Sequence, residues 1–189
     1  MLKRMIQAGA CSLLLAACGA ETALQFETAS DADIITLFGD VSQVDRTGMD
    51  LVTEPVFASY GLDFQAAMGL SRDSLLALEQ HEITVDFPAG GAIRTFSGPR
   101  LQDVLDLAQA GRGTVTLTAL DGYQRTLDRD RIGRHGVILA ISMDGTGLPL
   151  GGFGPAMLVW PRQDDPALAG QSDDDWIWSV FAIEIGEAD

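Results

Sequence analysis

Apolar residues in this chain recur at every second position more insistently than at every third or fourth, and that period limits what the chain can fold into. Val115, Leu117 and Ala119 alternate with Thr114, Thr116 and Thr118, and Ile83, Val85 and Phe87 alternate with Thr84 and Asp86. Alternation of this kind marks a strand with one buried face. Turn signals cut each run short. Pro88-Ala89-Gly90-Gly91 leads to a return strand over 93–96, and Asp121-Gly122 leads to another over 123–127. The continuous apolar run 137–141 is followed by the tight-turn pair Asp144-Gly145. Strands this short, without a βαβ rhythm between them, predict an α+β domain built on a mixed, partly barrel-like sheet with two or three short helices.

The helices that can be placed are brief. Ser71 is a candidate cap for a helix carrying Leu75, Leu76 and Leu78, and His81 then falls near its end, where a cation suits the helix dipole. Gly98-Pro99 reads as the opening of a second helix, since proline at the first helical position gives up no needed N–H. Leu101, Val104, Leu105 and Ala108 there follow helical spacing, with Asp103 and Asp106 facing out. Residues 128–132 read as a helical turn. The fold begins at Ile34, with a buried strand closed by Gly39-Asp40. It ends in 176–185, apolar on both faces and therefore a central strand. Residues 42–70 have no clean period and read as an irregular connection, with one helical turn over 64–68.

Before the domain, Lys3 and Arg4 precede an apolar stretch over 5–17, shorter than the roughly 20 residues a helix needs to cross a bilayer core. The stretch ends in Leu15-Ala16-Ala17-Cys18 with Gly19 behind it. This resembles the lipobox of bacterial lipoproteins, which implies a signal peptide over 1–18, acylation of Cys18, a tether over 19–33 and a domain over 34–189. The address so implied is the periplasmic side of a bacterial membrane, as an outer-membrane lipoprotein. Cleavage after Ala20 with no lipid is the alternative.

Acids outnumber bases 27 to 12 for a formal charge of −15, and the leader removes two of the bases. So acidic a surface repels phosphate backbones and anionic lipid headgroups, which excludes nucleic acid as a partner and leaves the anchor as the link to a membrane. Cys11 and Cys18 are the only cysteines. The body of the domain therefore has no disulfide, no cysteine-based zinc site and no thiol nucleophile. The imidazoles are His81 and His135. His135 sits in the basic stretch Arg131-Ile132-Gly133-Arg134-His135, a candidate anion-binding rim with Arg94 and Arg125, unless these arginines pair with Asp128, Asp130 and other acids. Gly151-Gly152-Phe153-Gly154 reads as a turn, because no Lys-Ser/Thr follows it. Asp173-Asp174-Asp175 reads as a solvated charge run, with weak calcium binding the alternative, and Trp160, Trp176 and Trp178 as core, with the lining of a ligand pocket the alternative.

Several segments occur together in a telling order. They are residues 96–105 (Phe-Ser-Gly-Pro-Arg-Leu-Gln-Asp-Val-Leu), Ala119-Leu120-Asp121-Gly122-Tyr123, Asp144-Gly145 with Leu148-Pro149-Leu150, and the stretch from Gly154-Pro155 to Trp160-Pro161. Over residues 71–185 the chain resembles the oxidoreductase molybdopterin-binding domain of sulfite-oxidase type. The resemblance implies that fold, and in the full enzymes a molybdenum held by a pterin dithiolene and one protein cysteine. The chain departs from it in lacking that cysteine, in placing Met157 where an arginine is expected, and in a leader that is not of twin-arginine type. The expectation is an exported, lipid-anchored binding or accessory domain without the molybdenum cofactor, acting on a small molecule or an envelope protein. The expected pocket rim comprises Arg94, Tyr123, Arg125, Arg134, His135 and Phe153, with Met157 beside it. The alternative is a molybdopterin-dependent oxidoreductase in unusual ligation, with Arg125, Arg134 and His135 on the cofactor phosphate.

Overall fold

The computed structural model describes residues 32–188; the leader, Cys18 and nearly all of the tether lie outside the described residues. In chain order the elements are β1 (Asp33–Gly39), β2 (Arg46–Thr47), α1 (Pro55–Ser59), β3 (Ala66–Ser71), α2 (Arg72–Leu76), β4 (Gln80–Asp86) and β5 (Ile93–Pro99). Then come α3 (Leu101–Leu107), β6 (Val115–Ala119), β7 (Gln124–Leu127), α4 (Arg129–His135), β8 (Ile138–Ala140), β9 (Ser142–Met143) and β10 (Thr146–Gly147). The chain finishes with β11 (Met157–Val159), two turns of 3-10 helix at Pro166–Leu168 and Asp173–Asp175, and β12 (Val180–Ile185).

The strands form a six-stranded sheet in the order β2-β3-β1-β12-β6-β7, a four-stranded sheet β10-β9-β5-β4 and a pair β11-β8, none of them closed into a barrel. Only β1 and β12 run parallel, Leu37 opposite Ile183, so the large sheet is mixed as expected. The last strand is central because both its faces are covered. Val180, Ile183 and Ile185 pack into the main core, and Phe181 and Ala182 into a second, aromatic cluster.

That second cluster corrects the reading of residues 42–70. The segment supplies β2, α1 and β3, not a structureless connection. Ala66–Ser71 pairs antiparallel with β1, and the helix lies at Pro55–Ser59 instead of 64–68. Phe57 sets its ring edge-on to Phe64 with centroids 5.4 Å apart, and lies 5.2 Å from Phe181, which lids the outer face of the sheet. A lid held by scattered aromatics needs no period, so none is written in the sequence.

Local signals elsewhere hold with adjustments. Ser71 caps α2, accepting from the Ser74 N–H at 3.1 Å, and Asp128 caps α4, accepting from the Arg131 N–H at 2.8 Å. The basic stretch 129–135 is therefore a full helix, stopped by left-handed Gly136 at φ 61°. Pro99 closes β5 instead of opening α3, whose first residue, Leu101, donates its N–H to the Val137 carbonyl at 2.8 Å. His81 stands inside β4, opposite Gly98, and not at a helix end. No helix among the described residues is long and apolar enough to cross a membrane.

Candidate functional site

Three loops at one end of the sheets enclose a cleft of about 320 Å³, lined by Phe87, Pro88, Ala119, Asp121, Tyr123, Asp173, Asp174, Trp176 and Trp178. That volume is at the lower bound of small-molecule sites. The first loop follows β4, the second is the Asp121-Gly122 hairpin turn, and the third is the acidic run leading into β12. Phe87 stacks flat on Trp176, centroids 5.2 Å apart at 13°, and meets Phe153 edge-on at 5.5 Å. Trp178 and Tyr123 remain 40% and 44% exposed, which leaves ring surface for a guest.

Arginine and aspartate fasten these loops together. Arg162 pairs with Asp86 and Asp173 and lies 4.5 Å from the Trp176 ring centroid. Asp173 also accepts the Ala89 N–H at 2.8 Å, tying the third loop to the first. The Tyr123 hydroxyl donates to the Asp174 carbonyl at 2.9 Å, tying the third to the second. The Gly90 N–H, donated at 2.6 Å, with Gln163 and Arg162 behind it, holds the Asp86 carboxyl down to about 2. Behind the cleft, buried Asp175 receives Arg125 Nε and Arg131 Nη1, each at 2.6 Å. Burial pushes the Asp175 carboxyl up, but those two guanidiniums outweigh it and leave it below the ordinary value.

The expected rim does not assemble around one pocket. Tyr123 lines the cleft, and Phe153 stands behind Phe87. Arg94 lies on the four-stranded sheet, donating to Asp144 at 2.9 Å, and is not among the lining residues. Arg125 is turned to Asp175, and His135 Nδ1 is 2.6 Å from Asp165 Oδ2, which lowers the Asp165 carboxyl together with the Ala167 N–H. Arg134 and His135 line a separate depression with Arg100, Gln102 and Asp103. Met157 is fully buried. Arg94, Arg125 and His135 are each turned to a carboxylate, whereas Arg134 forms no ion pair among the described residues. The expected rim left out the third loop. Asp175 of the supposed solvated run is 6% exposed, and Trp178 is the one of the three tryptophans that is not core.

The described residues lack the thiolate by which a molybdenum pterin of this type is held. No cysteine occurs among the described residues, so the soft thiolate ligand is missing there, and no group of three or more His, Cys, Asp or Glu among them could hold a metal ion. Of Arg125, Arg134 and His135, the cations that would meet a phosphate, Arg125 and His135 face internal carboxylates and Arg134 forms no ion pair among the described residues. The cleft itself presents Asp121, Asp173 and Asp174, which repel an anionic group.

No family model matches the chain, and a search of curated proteins also finds no match. Among solved structures 29 chains match, including the sulfane dehydrogenase SoxCD from Paracoccus pantotrophus. The likeness to SoxCD has a TM-score of 0.56 at 16% identity and covers 84% of this chain but only 39% of that one. At that identity the likeness carries architecture alone. The three sheets, the parallel β1–β12 pair and that likeness together give this domain a sulfite-oxidase-type α+β fold.

Proposed function

We propose that this chain is an exported, lipid-anchored domain that uses a sulfite-oxidase-type scaffold to bind a small molecule in its aromatic cleft, without the molybdenum cofactor. The observation that carries the reading is the pairing of cations near the cleft with internal acids. Arg125 and Arg131 close on Asp175, and Arg162 closes on Asp86 and Asp173. A site built for an anionic cofactor keeps guanidiniums open toward it. This one leaves exposed aromatic surface and carboxylates instead. The leader and Cys18 support export and anchoring, and an acidic surface that avoids lipid headgroups is consistent with attachment through a lipid.

An oxidoreductase with unusual cofactor ligation is the second reading, favoured by the likeness to a dehydrogenase. Elemental analysis and pterin fluorescence of protein purified from its own host separate the two. The expected result is molybdenum and pterin far below one per chain. A stoichiometric content of either overturns the cofactor-free reading.

A further inference from the structure

We infer that the guest of the aromatic cleft is a small organic cation, an ammonium compound. This inference rests on the reading of the domain as a cofactor-free binder and names the class of molecule it takes. Three features of the lining lead to it.

The first is uncovered ring surface. Trp178 and Tyr123 border the cleft with neither an aromatic ring nor a guanidinium stacked on them among the described residues, whereas Trp176 already carries Phe87 and Arg162. An aromatic face is the negative pole of its quadrupole, and it attracts a cation that has shed part of its water. The second feature is carboxylate charge outside any close ion pair, with Arg125 near enough to Asp174 to act on it. Asp173 is matched by Arg162, but Asp121 and Asp174 form no ion pair among the described residues. Both are nevertheless held in place. Asp121 accepts the Tyr123 N–H at 3.0 Å, and Asp174 accepts the Ser172 hydroxyl at 2.9 Å.

The third is the balance of nearby positive charge. Arg125 is tied to Asp175, and Arg162 to Asp86 and Asp173, so carboxylates outnumber guanidiniums around the opening. An overall charge of −15 adds long-range attraction for a cation and repulsion for an anion.

Calorimetric titration with choline and with its neutral isostere 3,3-dimethyl-1-butanol tests the inference, using protein whose molybdenum and pterin content has first been measured. Choline is expected to bind at least about tenfold more tightly than the isostere. Trp178→Ala is expected to weaken choline about tenfold in protein that urea titration shows to be folded under the conditions of the binding measurement. Asp121→Asn combined with Asp174→Asn is expected to weaken it several-fold and to flatten its dependence on salt. If Trp178→Ala fails to fold, Trp178→Leu reports the same loss of the ring. Equal affinity for the two probes, or no heat from choline with cofactor-free protein, overturns the cationic guest alone. Stoichiometric molybdenum or pterin overturns the underlying reading.

Discussion

Gly98→Ala is expected to destabilise the domain by about 3 kcal/mol or more, read as a lower midpoint in urea or a failure to accumulate folded protein. Gly98 is buried in β5 where that strand passes β8. An added Cβ would collide with the carbonyl oxygen of Leu139 and sit 2.7 Å from the Ala140 Cα. Both obstacles are backbone, so no rotamer change relieves the overlap, and Leu139 and Ala140 are themselves fully buried. The strands would have to part, and with them the Ile141 N–H to Ser97 carbonyl bond of 2.9 Å. Gly133→Ala is the internal control. It lies exposed in α4, where a Cβ meets nothing nearer than the Gln102 side-chain oxygen at 3.4 Å. Replacing glycine by alanine in a helix should there raise stability by about 0.5–1 kcal/mol. Equal midpoints for Gly98→Ala and wild type would show that β5 and β8 do not pack as closely as described.

The contrast between those glycines parallels what the sequence could and could not reveal. Signals confined to a few neighbours were legible. The alternation around Val115 and Leu117 gave β6, the Asp121-Gly122 and Asp144-Gly145 pairs gave two hairpins, and Ser71 marked the start of α2. These depend on backbone geometry and on which face is dry, both of which short windows encode. Signals that depend on a distant segment were not legible. The strand Ala66–Ser71 has β1 on one side and β2 on the other, and nothing within it announces either pairing. Pro99 fits a strand end as well as a helix start until Gln80 is known to stand opposite it.

The candidate site follows the same rule. Tyr123 lines the cleft and Phe153 stands behind Phe87, and each sits in a turn that local glycines define. The sequence left open whether its arginines wait for an anion or pair with acids, because an arginine's partner is chosen across the fold. Arg125 is separated by 50 residues from the Asp175 it pairs with, and Arg162 by 76 from Asp86. The acidic run 173–175 looks in isolation like a solvated patch. In the fold it divides by position: Asp173 ties loops together, Asp174 borders the cleft and Asp175 goes inside. An acid-rich sequence can thus hide a paired electrostatic interior, and composition alone gives no way to tell the two apart.

Asp175→Ala follows from that division and is expected to cost about 2–3 kcal/mol at neutral pH. Removing one member of a buried pair costs about 3–5 kcal/mol, but Arg125 and Arg131 keep side-chain exposures of 43% and 34% and recover some hydration, which brings the figure down. The loss would also loosen the ground beneath the cleft. The Asp175 carbonyl accepts the indole N–H of fully buried Trp160 at 2.8 Å, and Arg131 lies 4.3 Å from the centre of that ring. The effect should depend on pH with a definite sign. The folded carboxyl lies below its ordinary value, so its stabilisation is fully present above the unfolded value near about 3.9 and is lost as pH falls through the folded one. Urea titrations at pH 7 and at progressively lower pH should therefore show the wild-type and Asp175→Ala curves converging only in the acid range, below about pH 4. A gap that stays constant from neutral to strongly acid pH would mean that packing, and not the Arg125–Asp175–Arg131 charges, holds this corner of the domain together.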